Sequence, residues 1–454
     1  MLDLPQALYF FLFFATLLAP LRWSLVSFLV LSTIDMGSVS ARVGLLNTAK
    51  AFVLPVYLLW RLRAYAGHRK VAFACIAWGL FVLYVGMAST WSLYPAYAIK
   101  LIGHMLASLL IAMTLIRASK GGYLSPSIIV PVSVGAIAIA AMHWFFLHRW
   151  GGETERFTSF SGAQAFAAFL AALYCAALCA RSIRVAVRVP LSVALASAVL
   201  LNGSRIWIIG MLASTLLSIL VSNAKTWLKI VTLGVTLVSG VIGIGEFDTI
   251  MEVLAVNASS NRIAAAMTAA YEGNFKSSGL GTYNLRHELY RRTLAGIESG
   301  TVVQLIFGHG TCNGAAIAET LAKSPDPNRA MHDEWLRAMY EWGLTGLLLW
   351  IIFIGSLFFY TIQGVRTVRG WFAKPLLIYL PAFTLGLTGE NIIAGAANAM
   401  SVGFLLLLAF ASISHRAALN YAYPARNRAR VQTGFNAPYT YPGSETPHSQ
   451  PQAS

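Results

Sequence analysis

Apolar runs of about 17–25 residues recur along almost the whole of this chain, each the length that crosses about 30 Å of hydrocarbon. A segment in lipid must satisfy its backbone N–H and C=O groups within the protein, which leaves α-helices or a closed β-barrel as spanning structures. Barrel strands read as short segments of alternating polarity, whereas the runs here are long and continuous. Of the 454 residues, 57% are hydrophobic and only 11% are charged, too few charges to cover a soluble domain. The expected fold is an all-α polytopic membrane protein.

The runs fall near 7–21, 24–36, 45–61, 71–89, 97–116, 127–147, 163–180, 189–203, 205–222, 227–245, 342–362, 375–391 and 397–414, giving about 12–13 transmembrane helices. The run at 24–36 is short for a crossing, so it is read as tilted or re-entrant. Cations test the register. Arg61, Arg63, Arg69 and Lys70, then Arg117 and Lys120, then Arg181, Arg184 and Arg188, then Lys225 and Lys229 fall in every second loop. Arg366, Arg369 and Lys374 continue the series, and Arg416, Arg426, Arg428 and Arg430 close it. With Arg22 these make up more than half of the 33 Lys and Arg residues, and their alternation assigns those loops to the cytoplasm. The net charge of +16 thus has an explanation in orientation and in anionic lipid headgroups, and nucleic acid is not needed as a partner.

The organisation that follows has helices over 1–245, a large non-cytoplasmic loop over 246–334, helices over 335–415 and a cytoplasmic tail over 416–454. The tail is rich in Pro, Ser, Thr, Asn and Gln and reads as disordered. The first apolar run follows no basic stretch and no convincing cleavage site, so it is read as a retained span. Cys75, Cys175 and Cys179 lie within apolar runs and Cys312 stands alone in the loop, so neither a disulfide framework nor a metal site is expected. No internal repeat of the kind that marks many transporters stands out.

The polar groups gather at the outer edge. In 331–346, Met-His-Asp-Glu-Trp-Leu-Arg-Ala-Met-Tyr-Glu-Trp-Gly-Leu-Thr-Gly, the loop runs into an apolar helix beginning near Trp342. His332 is the leading candidate for proton transfer, since imidazole titrates near neutrality. Asp333 and Glu334 beside it orient the ring, or cap the helix N-terminus. Arg205 follows Asn202-Gly203-Ser204 and opens an apolar helix, where two readings stand. It snorkels to headgroups, or its guanidinium fork binds a phosphate. Arg286 opens an amphipathic helix in which Tyr290 shares its face at i, i+4. That helix leads to Phe307-Gly308-His309-Gly310, an evident turn in which His309 reads as a turn or supporting residue. Lys100 and His104 lie one helical turn apart, and Lys100 is either part of an anion site or paired with Glu390.

These blocks resemble the O-antigen ligase and O-antigen polymerase superfamily of bacterial inner-membrane glycosyltransferases, over roughly 190–415. The resemblance rests on Gly203-Ser204-Arg205 before an apolar run and on Arg286, Leu289-Tyr290 and Phe307-Gly308-His309-Gly310. It rests most on His332-Asp333-Glu334-Trp335-Leu336 followed by Glu341-Trp342-Gly343-Leu344-Thr345-Gly346-Leu347. Asp333 stands where the family's motif has Asn, which changes the local charge. The resemblance implies about twelve helices with one large periplasmic loop, and transfer of a glycan from undecaprenyl diphosphate to an acceptor sugar. No cofactor, nucleotide sugar or metal is implied. The cations would stabilise the departing diphosphate. Arg205 and Arg286 match the family's arginine positions, with Arg262, Arg291 and Lys100 as secondary candidates, and His332 would take the acceptor's proton. Asp333, Glu334, His309 and Tyr290 would support these groups, and displacement would invert the anomeric carbon.

The acceptor distinguishes two enzymes with one donor. Lipid A-core would make the chain a ligase, the leading expectation, and a second lipid-linked repeat would make it an O-antigen or exopolysaccharide polymerase. A transporter or lipid-linked sugar flippase would place ionisable groups at mid-bilayer in paired broken helices. A non-catalytic assembly partner would tolerate loss of His332.

Overall fold

The computed structural model describes residues 4–34, 49–65, 73–124, 126–149, 163–180, 183–202, 204–221, 226, 281–322, 333–367 and 373–387. Their regular structure is entirely helical. The runs at 227–245 and 397–414, the tail, and the first part of the large loop lie outside them. The helices are α1 (Leu4–Leu18), α2 (Leu21–Leu31), α3 (Leu54–Arg61), α4 (Phe73–Ala88), α5 (Pro95–Lys120), α6 (Ile129–Arg149) and α7 (Ala163–Cys179). They continue with α8 (Val185–Asn202), α9 (Arg205–Val221), α10 (Gly281–Glu298), α11 (Val302–Phe307), α12 (Gly314–Ala322), α13 (Glu334–Thr367) and α14 (Ala373–Leu387). Among the described residues, four segments are long and apolar enough to cross a membrane: Phe73–Trp91, Pro95–Ser119, Val185–Asn202 and Glu334–Phe359.

The first two runs form a broken pair. Pro20 lacks the N–H that would continue the ladder, and α2 starts directly after it. The Ala19 carbonyl at the break accepts from Ser24 Oγ at 2.8 Å and from Arg61 Nη1 at 2.9 Å. Arg61, read from sequence only as an orientation signal, therefore also satisfies an interrupted backbone, as an apolar environment requires.

α13 is the central helix. It packs against α4 and α14 along its length and against α10, α11 and α12 at its start. Between α4 and α13 lies an aromatic core, with Trp78 and Phe353 ring centroids 4.8 Å apart and Phe81 edge-on to Trp342 at 5.1 Å. Such pairs contribute beyond the area they bury. α9 and α14 meet through small residues, since a Cβ on Gly210 would lie 2.8 Å from that of Ala382. Close backbone approach of this kind is how helices associate where lipid removes the hydrophobic incentive.

The sequence pattern starts the late span at 342, but α13 begins eight residues earlier, at Glu334, and bends at Gly343 (φ 64°, ψ −166°). The extra turns carry Glu334, Arg337 and Glu341 on one face, at helical spacing. All three are buried. Burial by a distant loop hides these turns from a reading based on apolar periodicity.

Candidate functional site

The best-defined polar assembly lies where α13 begins, and it is built on one loop. α11 is opened by a capping box: Thr301 Oγ1 accepts from the Gln304 N–H at 3.2 Å, and Gln304 Oε1 accepts from the Thr301 N–H at 2.9 Å. Gly308 ends it at φ 83°, ψ 175°, a region that only glycine occupies readily. The chain then runs along the bend of α13. The His309 and Gly310 N–H groups donate to the carbonyls of Tyr340 and Glu341, each at 2.9 Å. His309 Nδ1 also lies 3.1 Å from the Tyr340 carbonyl, and its ring stacks on that of Tyr340 with centroids 4.2 Å apart. A Cβ on Gly308 would lie 2.2 Å from the Glu341 carbonyl oxygen, and one on Gly343 would lie 2.5 Å from the Gly308 nitrogen. Gly308 thus makes room for the Glu341–Trp342 backbone and Gly343 for the backbone of Ile306 and Gly308.

The loop is also pinned from within. Glu341 is 2% exposed, and its carboxylate accepts from the Cys312 N–H at 2.9 Å, the Gly314 N–H at 3.2 Å and Arg337 Nε at 3.1 Å. Arg337, 3% exposed, lies 3.7 Å from Glu334 and under the Trp342 ring at 5.5 Å. Cys312 takes a left-handed φ of 66° to present its N–H. Burial, and then the Glu341 carboxylate, push its thiol up to about 12. Thr311 Oγ1 accepts from Trp342 Nε1 at 3.1 Å and donates to the Val85 carbonyl at 2.8 Å. Asn313 bridges His309 and the Leu93 N–H, and the Tyr84 hydroxyl lies within 3.1 Å of the Phe307 and Trp342 carbonyls. The loop, the end of α4 and the start of α13 form one interlocked corner.

Asp333 caps α13: its Oδ1 accepts from the Trp335 and Leu336 N–H groups at 2.8 and 2.9 Å. Burial outweighs those two bonds and raises its carboxyl above the ordinary aspartate value. Glu334 does not cap. It is fully buried and lies 3.7 Å from Arg337.

Of the other residues singled out in the sequence, His332 and Arg262 lie outside the described residues, as does Glu390. Arg205 is the first residue of α9 and Arg286 lies in the second turn of α10, described by backbone position alone. Beside Arg205, Ser204 Oγ and Trp207 Nε1 are buried and find no hydrogen-bond partner among the described residues. Tyr290 follows Arg286 by one turn of α10 and is half-buried. Arg291 is exposed, with its fork on Glu288 at 2.8 and 2.9 Å. Those bonds and the ones from Arg292 hold the Glu288 carboxyl down to about 2. Lys100 is exposed in the second turn of α5.

Sequence reasoning passed over Arg337, Thr311 and Tyr84. For Arg337 a signal was available, since Glu334, Arg337 and Glu341 repeat at i, i+3 and i+7. For Tyr84, more than two hundred residues from its partners, there was none. Among the described residues no three His, Cys, Asp or Glu side chains gather as a metal site would need. The chain matches no protein-family model and no curated protein.

Proposed function

We propose that this chain is a membrane glycosyltransferase that moves a glycan from undecaprenyl diphosphate to an acceptor sugar at the periplasmic face of the bacterial inner membrane. Its leading form is the O-antigen ligase reaction, onto lipid A-core. It would work from about 12–13 helices, with the loop over 246–334 on the periplasmic side. One observation carries the reading. Residues 307–310 of one resembling block are joined by backbone hydrogen bonds to 340–341, where the Glu341–Leu347 stretch of another begins, and the helix that carries that stretch is capped by the residue next to His332. A group held beside a fixed helix start can be oriented with the accuracy that proton transfer demands.

In the reaction the acceptor hydroxyl oxygen bonds to the anomeric carbon of the donor's first sugar. The bond from that carbon to the phosphate oxygen breaks, and undecaprenyl diphosphate leaves with the electron pair. The hydroxyl proton passes to the His332 imidazole, while Arg205 and Arg286 take the developing negative charge. A single displacement inverts the carbon. Because guanidinium groups do what a metal would otherwise do, EDTA is expected to leave the rate unchanged.

The test is transfer by purified protein in proteoliposomes carrying polyprenyl-diphosphate-linked glycan. Lipid A-core is supplied in one arm and only further lipid-linked repeats in the other. Glycosylated lipid A-core identifies a ligase, and chain growth in the second arm alone identifies a polymerase. His332→Ala and Arg205→Ala are each expected to lower transfer by about a hundredfold or more, with insertion and melting unchanged. Undiminished transfer by His332→Ala would overturn the assignment of the base.

A further inference from the structure

We infer that α11 is a lipid-immersed foot, a six-residue helix whose outward face sits among the acyl chains at the hydrocarbon–headgroup boundary. The sequence Val-Val-Gln-Leu-Ile-Phe is apolar at every position but one, and none of the six residues is buried by the protein. Val302 is 73% exposed, Val303 65% and Phe307 46%. In water a contiguous patch of this kind would be unfavourable, yet the helix is not loosely held. It is fastened to α13 through the Gly308–Gly343 contact and to α4 through the Tyr84 hydroxyl, 3.0 Å from the Phe307 carbonyl.

What covers the patch follows from what it adjoins. Leu83 and Met87 flank Tyr84 on α4, and Leu344 follows the bend of α13; all three are exposed on helices long and apolar enough to span a bilayer. The exposed face of α11 therefore continues the surface that acyl chains cover. Depth agrees. The apolar segment of α13 has 26 residues, ~39 Å of helix against ~30 Å of hydrocarbon, and the ion network of its first turns puts the surplus at that end. Gly343, where α11 attaches, comes near the boundary.

Several backbone groups at the two ends of α11 are satisfied within the protein, which suits a lipid-facing element. Gln304, its one polar side chain, is folded back onto the Thr301 N–H, and the first-turn donor at Gln304 is taken by Thr301 Oγ1. At the other end the Gln304 carbonyl accepts from the Gly308 N–H at 2.8 Å and the Phe307 carbonyl is served by Tyr84. Hydrocarbon demands this internal satisfaction and water does not. Seated in this way, α11 sets the height of the whole corner relative to the membrane surface. The inference does not depend on what the protein catalyses.

The experiment places an environment-sensitive fluorophore on Val303→Cys in full-length protein lacking the half-buried Cys75 and Cys179. The protein is reconstituted in phosphatidylethanolamine–phosphatidylglycerol vesicles. Lipids carrying a nitroxide high on the acyl chain should quench the label several-fold more than aqueous iodide does. A label on exposed Glu298→Cys of α10 should show the reverse order. Val302→Cys provides the same reading should labelling at 303 disturb the fold. Iodide quenching at 303 equal to that at 298 would overturn the proposal by showing a wet face. Quenching by neither agent would also overturn it, by showing a protein cover such as a second copy.

Discussion

Three single residues carry more of the corner than their size suggests. Gly308 and Gly343 occupy the same backbone region, and each would drive a Cβ into the other's strand of chain. Gly343→Ala is expected to lower the apparent melting temperature in detergent, with about 1–3 kcal/mol lost to backbone strain and more to the clash. A helical bend that tolerates alanine would contradict the geometry. The Gly343-Leu-Thr-Gly346 signature, taken from sequence as a family mark, thus has a packing cause, since a Cβ on Gly346 would also meet that of Trp342 at 2.1 Å. The turn at 308–310 was legible because glycines flank a polar residue. Its partner, some thirty residues on, was not, because nothing local to either segment encodes the contact. Cys312, with its thiol pushed up to about 12, holds almost no thiolate at pH 8. It should resist maleimide in the folded protein and react once the protein is unfolded in denaturant, with mass spectrometry of the modified peptide as the readout. Asp333 gives a pH signature. Its folded value is raised, so the folded state binds a proton more readily than the unfolded chain does. Stability is therefore greatest below the ordinary aspartate value and declines as pH climbs to the raised one, staying level above it. Melting followed between about pH 3 and pH 6 should show that decline in the wild type and lose it in Asp333→Asn.

Among the elements, α13 most exceeds its apolar pattern. Its first turns are a buried ion network, Glu334–Arg337–Glu341, whose carboxylates and guanidinium are shut away from water by the loop at 308–314. Removing Arg337 leaves two buried carboxylates without their counterpart, and removing Glu341 leaves the guanidinium with Glu334 alone, 3.7 Å away. Arg337→Ala is expected to destabilise the protein by about 3–5 kcal/mol, as is Glu341→Ala. The two should differ in a measurable way. Losing Glu341 also orphans the N–H groups of Cys312 and Gly314, so hydrogen exchange at 310–314 should rise more than in Arg337→Ala. Equal exchange in the two variants would mean that the carboxylate does not hold the loop. One reading of the sequence gave both acids a capping role and so did not distinguish them. Asp333 caps because it holds the N-cap position directly before the helix, whereas Glu334 is the first helical residue and faces Arg337. Existence of the long apolar helices was readable from their length alone. The helix start at 334 was not, since burial there comes from tertiary contact and not from composition.

Across the whole bundle the described residues divide into two ends. At one, Arg22 donates to Ser127, Arg61 to the Ala19 carbonyl and Arg117 to the Leu59 carbonyl. At the other, reached along α4 from Phe73 to Ala88, sits the corner built on residues 307–314 and 333–343. The alternation of cations in the sequence predicts these arginines at the cytoplasmic end, because insertion sorts Lys and Arg loop by loop before tertiary structure forms. That mechanism makes the sidedness testable. With the cation-bearing end in the cytoplasm, Glu298→Cys beside the corner should react with a membrane-impermeant maleimide in intact spheroplasts. Arg63→Cys, exposed at the opposite end, should react only after the membrane is opened. Unmodified protein serves as the blank for the native cysteines. Reaction of Arg63→Cys from outside, with Glu298→Cys protected, would invert the topology. It would move the corner, and any chemistry beside His332, to the side where a periplasmic glycan cannot reach it.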